Sequence, residues 1–240
     1  MSFLAIPADV DQARLHPGVV ALYKRMQWSQ RTPEWYAIRR ELLTASDVAS
    51  TLGVKPFASY KGDIRADTLE KKLENAPFGN MFTAHGVKYE DEARARMDAA
   101  LGVKSLDFGL LVHPEHTWLA ASPDGVTTTG ACVEIKCPLK RKIIPGEVPH
   151  HYYPQLQVQM AVCGLRTTYF CQFAPACITP DKVAVLDIVT VEYDPLWFET
   201  NLPIMRSFFE DYMARKPTHV PKPLPPPPVC AIIDDLYGHV

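Results

Sequence analysis

The run Ala131-Cys132-Val133-Glu134-Ile135-Lys136-Cys137 has the composition of a strand, ended by Pro138, yet it carries a carboxylate and an ammonium two positions apart. Side chains alternate along a strand, so Glu134 and Lys136 share one face and Ile135 takes the other. Ser122-Pro123-Asp124-Gly125 precedes it, with Asp124 ten residues before Glu134. Pro-Asp-Gly is turn chemistry, and a short acid there can swing toward the same spot. Two acidic oxygens, helped by a backbone carbonyl, make a hard-oxygen site suited to Mg²⁺ or Mn²⁺. A lysine beside them can hold a water and help deprotonate it. Each half has an ordinary reading as well, a turn aspartate and a solvated strand face. At this spacing the two halves together point to chemistry.

The elements around this motif read as mixed α and β. An irregular N-terminal arm of about 30 residues includes a short helix near 19–26. Thr32-Pro33-Glu34 starts a helix to about Leu43, with an N-cap, a proline at the first position and an acid in the first turn. Trp35, Ile38, Arg39 and Leu42 share one of its faces. Thr44-Ala45-Ser46-Asp47 resembles a capping box opening a helix that Gly53 stops. Helices are expected over 64–73, 85–101 (closed by Gly102), 150–163 (ended by Gly164) and 195–215, the last bent or restarted near Pro203. Strands are expected at 108–113, 117–121, 131–137, 169–173 and 183–191. Residues 139–149 form a basic loop.

The chain of 240 residues suits one domain with a sizeable core. No stretch approaches the ~20 apolar residues of a membrane span, and the N-terminus lacks a signal-peptide pattern, which makes the cytoplasm the default expectation. The six cysteines, Cys132, Cys137, Cys163, Cys171, Cys177 and Cys230, show no zinc or iron–sulfur spacing and read mostly as core thiols. A formal charge of −2 gives no global sign of nucleic-acid binding and does not exclude a local basic groove. From Pro217 the chain is proline-rich, an extended spacer that ends in the peptide 229–240. The domain is therefore expected over 1–216, with a tail over 217–240 that either is a disordered end or docks on a neighbouring subunit or partner.

Three further features bear on the motif. Glu90 falls in the apolar stripe of its helix with Val87, Met97 and Leu101. An acid there must pair, for instance with Arg94 four residues on, or join a metal cluster. Ser46 at a helix start and Arg39 on an inward face would together suit a phosphate; singly they read as a capping residue and a buried ion-pair partner. In Tyr153-Pro154-Gln155-Leu156-Gln157-Val158-Gln159 the three glutamines cannot all share one helical face, so at most some of them reach the site.

Trp35-x-x-x-Arg39, Leu43-Thr44-Ala45-Ser46, Gly86-x-x-Tyr89-Glu90-x-x-Ala93, the SPDG turn, Glu134-Ile135-Lys136-Cys137-Pro138 and Gln155-x-Gln157 occur in that order. In this the chain resembles the YqaJ-type viral recombinases, the family of phage lambda exonuclease within the PD-(D/E)XK nucleases. The resemblance implies a restriction-endonuclease-like α/β fold with a central mixed sheet flanked by helices. It implies a 5′→3′ exonuclease that digests one strand of linear duplex DNA and leaves 3′ overhangs for annealing-type recombination. By it, Asp124, Glu134 and the carbonyl of Ile135 bind Mg²⁺, with Mn²⁺ a substitute, and Glu90 supports the metal. Lys136 and Gln157 orient the water, and Arg39 and Ser46 hold the 5′-phosphate. It further suggests a homotrimeric ring around DNA and a single-strand annealing protein as partner. The rival readings are an endonuclease on the same fold, cutting closed circles, and a non-catalytic DNA-end-binding protein.

Overall fold

The computed structural model describes residues 2–74 and 81–219, so the expectations for the 229–240 peptide and for Cys230 lie outside the described residues. In chain order the elements are α1 (Pro17–Tyr23), α2 (Pro33–Glu41), β1 (Leu43–Thr44), α3 (Ala45–Thr51), α4 (Ile64–Leu73) and α5 (Met81–Leu101). There follow β2 (Ser105–Leu106), β3 (Leu111–Val112), β4 (Leu119–Ala121), β5 (Gly125–Thr127) and β6 (Ala131–Lys136). The chain continues through α6 (Tyr153–Cys163), β7 (Thr167–Ala174), β8 (Val185–Glu192) and α7 (Pro195–Arg215).

Five strands form a sheet in the order β2-β5-β6-β7-β8, in which only β6 and β7 run parallel, Glu134 opposite Phe170. A parallel pair needs a crossover, and α6 supplies it. A small second sheet, β1-β4-β3, lies in the chain path just before the SPDG turn. The expected mixed α/β architecture is what forms.

β6 is covered on both faces, which explains its nearly continuous apolar sequence. Val133, Ile135 and Cys137 pack with Ala93 and Met97 of α5 and with Cys171 and Phe173 of β7. Cys132 belongs to the larger core with Leu156, Val158, Met160, Val162 and Phe170. Glu134 and Lys136, two and four residues on from Cys132, therefore fall on the side where α6 packs. Burial surrounds α6, and Gly164 ends it in a left-handed conformation (φ +68°) that suits glycine.

Some boundaries and faces differ from expectation. Leu43 and Thr44 leave α2 to pair in parallel with Leu119 and Ala120. Thr44 makes no side-chain cap to α3; its hydroxyl bonds the Asp47 carboxylate and the Ser46 hydroxyl instead. In α5 the buried residues are His85, Ala93 and Met97, while Val87 and Leu101 are exposed. The burying strip thus follows Ala93 and Met97, and Glu90 borders it at i−3 from Ala93. α7 runs through Pro203 as one helix. The five described cysteines are free thiols, four of them buried. Among the described residues no helix is long and apolar enough to cross a membrane.

Candidate active site

The SPDG turn joins β4 to β5, and the β5–β6 hairpin folds it back on the strand that follows. Asp124 N–H donates to Val133 O at 3.0 Å, and Ile135 N–H donates to Asp124 Oδ2 at 2.7 Å. The aspartate is thereby fixed against β6 on either side of Glu134. Burial first, and then the charges of Glu134 and Glu90, push the Asp124 carboxyl well above the usual carboxylate range.

Glu134 is 2% exposed and both of its oxygens are engaged. Oε1 accepts from Gln155 Nε2 at 2.6 Å and from the Lys136 ammonium, and Oε2 accepts from Gln159 Nε2. Burial alone would lower the Lys136 pKa, but Glu134 and Asp124 outweigh it and raise it above an ordinary lysine. Lys136 is therefore a fixed ammonium, suited to hold a water or an anionic oxygen by donating to it.

The glutamines sort by helical geometry. Gln155 and Gln159, at i and i+4, face Glu134 together. Gln157 does not reach the site. Its Nε2 donates to Glu192 O at 2.9 Å and its Oε1 accepts from Asp194 N–H at 2.7 Å, which fastens α6 to the β8–α7 connection. The expectation that Gln157 orients the water is corrected accordingly. Two positions along a helix turn the side chain about 200° away from Gln155. Gln159 is marked in the sequence only by its i+4 spacing from Gln155.

Glu90 sits beside this cluster, held by cations. Arg31 donates to its Oε2 at 2.5 Å and Arg94 lies 3.5 Å from its Oε1. The same Arg94 nitrogen donates to the backbone carbonyl of Asp124, so a single guanidinium links Glu90 to the SPDG turn. A cleft of about 310 Å³ opens here, lined by Gln30, Arg31, Glu90, Arg94 and Asp107 among others. Arg94 is the pairing partner that the spacing allowed; Arg31, 59 residues away in sequence, carried no local signal.

The donor chemistry fits a hard divalent cation in part. Asp124 and Glu134 are two hard carboxylates close enough that the charge of Glu134 raises the Asp124 pKa, and Gln159 Oε1 adds a buried acceptor with no hydrogen-bond partner among the described residues. Among the described residues no three His, Cys, Asp or Glu side chains are grouped to hold a metal, and Glu90 is paired with Arg31 and Arg94. Asp124, Glu134 and the Ile135 carbonyl remain the residues that would hold an ion.

Arg39 and Ser46 are brought together, the guanidinium donating to Ser46 Oγ at 3.0 Å. Burial lowers the Arg39 pKa and the charge of Asp47 raises it in part. The guanidinium lies 4.3 Å from the centre of the Trp35 ring, and Trp35 Nε1 donates to Ser122 Oγ at 2.9 Å. This bond connects the Arg39–Ser46 pair to the turn that carries Asp124, and nothing in the local sequence announced it.

Comparison with known proteins bears on the fold and the family. The model of the YqaJ-like viral recombinase domain matches residues 34–168, a span that leaves out Gln30 and Arg31 of the cleft and contains Arg39, Ser46, Glu90, Arg94, Asp124, Glu134, Lys136, Gln155 and Gln159. An uncharacterized protein of Acanthamoeba polyphaga mimivirus is 32% identical over 164 residues, 61% of this chain and 29% of its own length. A protein of African swine fever virus is 29% identical over 166 residues, 55% of this chain. The chain spans under half the length of either relative, 29% of the first and 46% of the second. Among solved structures, the alkaline exonuclease LHK-Exo of Laribacter hongkongensis superposes with a TM-score of 0.64 at 25% identity, covering 78% of this chain and 95% of that one. A phage-related exonuclease of Haemophilus somnus shares the fold at 11% identity, with a TM-score of 0.55, over 75% of this chain and 98% of its own. The fold is the restriction-endonuclease-like PD-(D/E)XK fold, and the chain belongs to the YqaJ-like viral recombinase family.

Proposed function

We propose that this chain is a metal-dependent 5′→3′ exodeoxyribonuclease that digests one strand of linear duplex DNA from phosphorylated ends. The observation that carries the reading is the joining of two sites by one side chain. Asp124 is bonded to the backbone of Ile135, between Glu134 and Lys136, which pair with each other, and Trp35 ties the SPDG turn through Ser122 to the Arg39–Ser46 pair. An internal cutter has no need of a phosphate clamp at a fixed distance from its hydrolytic centre, whereas an enzyme reading a 5′ end does. The likeness to LHK-Exo, which has also been crystallised with dAMP, supports nucleotide chemistry at this fold.

A divalent ion, Mg²⁺ with Mn²⁺ as substitute, would lower the pKa of a water, polarise the phosphoryl oxygen and offset the leaving oxyanion. Asp124, Glu134 and the Ile135 carbonyl would hold it, with Glu90 in support once Arg31 and Arg94 release it. Lys136 donates to the attacking water or to a phosphate oxygen. Gln155 and Gln159 keep the Glu134 carboxylate in one orientation, so that the ion meets a prepared ligand. Arg39 and Ser46 hold the terminal phosphate and so set which bond lies at the metal. A homotrimeric ring around DNA and a single-strand annealing partner for the 3′ overhang complete the proposal.

The test is digestion of linear duplex beside covalently closed circles, in Mg²⁺ and in EDTA. Loss of the linear strand from its 5′ end in Mg²⁺ alone, with circles spared, is expected. Equal cutting of circles would reject the exonuclease reading in favour of an endonuclease, and no cleavage of either in Mg²⁺ or Mn²⁺ would leave an end-binding protein.

A further inference from the structure

The proposed phosphate clamp contains an acid. Asp47 lies next to Ser46, and its carboxylate Oδ2 accepts at 3.0 Å from Thr44 Oγ1, which itself lies 3.0 Å from Ser46 Oγ. A fixed negative charge beside a site for a phosphate dianion weakens binding, all the more in a partly dry setting. Two cations face it: the Arg39 guanidinium, whose pKa the charge of Asp47 raises, and Lys72, which pairs with it directly. Lys72, from α4, is 11% exposed at its side chain and reaches Asp47 Oδ2 at 3.3 Å. The same ammonium donates to Leu42 O at 3.0 Å and lies 3.5 Å from Arg39 O, at the end of α2. It also sits 5.4 Å from the ring centre of Tyr212, whose hydroxyl donates to Arg40 O at 2.6 Å. One ammonium thus grips the C-terminal carbonyls of the helix that carries Arg39 and neutralises the acid of the helix that carries Ser46.

We propose that Lys72 is a positioning residue for the 5′-phosphate. It holds α2 and α3 at the separation at which Arg39 meets Ser46, and it cancels the charge of Asp47 that would otherwise repel the phosphate. This rests on the reading of Arg39 and Ser46 as ligands of the terminal phosphate. Lys72 touches neither DNA nor metal in this scheme and acts only through its neighbours.

The experiment compares kcat/KM on linear duplexes bearing a 5′-phosphate or a 5′-hydroxyl for wild type, Lys72→Met, Lys72→Arg, Asp47→Asn and the Lys72→Met/Asp47→Asn double variant. Lys72→Met is expected to lower the phosphate-over-hydroxyl ratio about tenfold, through KM, as a lost charge-assisted contact would. Lys72→Arg should recover much of the ratio. Asp47→Asn in the Lys72→Met background should recover it too, because the uncompensated acid is gone. Asp47→Asn alone keeps the shape and the Thr44 bond and should lower KM for phosphorylated ends, which tests the charge claim even if Lys72→Met fails to fold. A ratio unmoved by Asp47→Asn, or a Lys72→Met loss equal on both substrates and untouched by the second change, overturns the inference alone. A wild type with no preference for phosphate overturns both this inference and the end-reading proposal beneath it.

Discussion

Trp35 donates its indole N–H to Ser122 Oγ at 2.9 Å, two residues before Asp124, while Arg39 rests on the same ring. The two halves of the candidate site are therefore not independent. Trp35→Phe keeps a ring under Arg39 and removes the donor. It should cost about 1 kcal/mol of stability and lower kcat/KM on phosphorylated ends several-fold. Thermal melting and steady-state digestion read both; unchanged kinetics would show that the link does not matter to the reaction.

The glutamines of α6 should separate cleanly. Gln157→Leu leaves Glu192 O and Asp194 N–H without their buried partners and should destabilise by roughly 1–3 kcal/mol, with the folded fraction still binding metal normally. Gln159→Leu removes a donor to Glu134 Oε2 and should weaken Mg²⁺ affinity about 10–100-fold. Calorimetric titration of metal into each variant decides between them. A Gln157 variant that folds and loses metal binding would restore that residue to the site.

Burial and the charge of Glu134 hold the Asp124 carboxyl well above the usual carboxylate range, so ionising it costs stability when no metal ion is bound. Asp124→Asn preserves an acceptor for Ile135 N–H and removes the charge. In EDTA at neutral pH it should melt above wild type, by about 1 kcal/mol or roughly 2–4 °C. Mg²⁺ should raise the wild-type melting temperature and leave the variant nearly unchanged. A variant less stable than wild type in EDTA would contradict the charge-crowding account.

Acid stability should depend on His113. Its Nδ1 accepts from Glu115 N–H and His116 N–H, each at 3.1 Å, and its ring stacks on Phe198. Burial, and then neighbouring His116, depress its pKa to about 4. An unfolded histidine titrates near ~6.5, so the stability this neutral ring confers is complete above that pH. It is lost as pH falls from there toward about 4, because the unfolded chain takes the proton first. His151, also depressed to about 4, adds to the same window. His113→Asn keeps an acceptor without the titration and should flatten part of the urea-stability profile across that range; an unchanged slope would count against it.

What could be read in the sequence was local chemistry. Glu134 and Lys136 are two apart on a strand, Asp124 is in a turn, and Arg39 and Ser46 lie on adjoining helices; period and capping rules suffice to place each. The choice among Gln155, Gln157 and Gln159 depended on which face of α6 meets β6, and α6 is buried almost all round, so no amphipathic pattern marked it. Helical spacing puts Glu90 in a stripe with Val87, Met97 and Leu101, but of these three apolar residues α5 buries only Met97, with Ala93 beside it. Arg31, Lys72 and the Trp35–Ser122 bond join segments 25 to 87 residues apart, and contacts of that range leave no trace in spacing. β2 and β5 were missed because strands of two and three residues are set by their partners rather than by propensity.

The central claim is that one site cleaves while a second, 5′-phosphate-reading site sets the position, and Arg39 is where the two can be separated. The most direct measurement is the ratio of kcat/KM for 5′-phosphoryl over 5′-hydroxyl linear duplex in Mg²⁺, in wild type and in Arg39→Ala. The wild type is expected to favour phosphorylated ends by about tenfold or more, the worth of a charge-assisted contact, and Arg39→Ala should bring the ratio close to one. Equal rates on both ends in the wild type, or a preference that survives Arg39→Ala, would contradict the account.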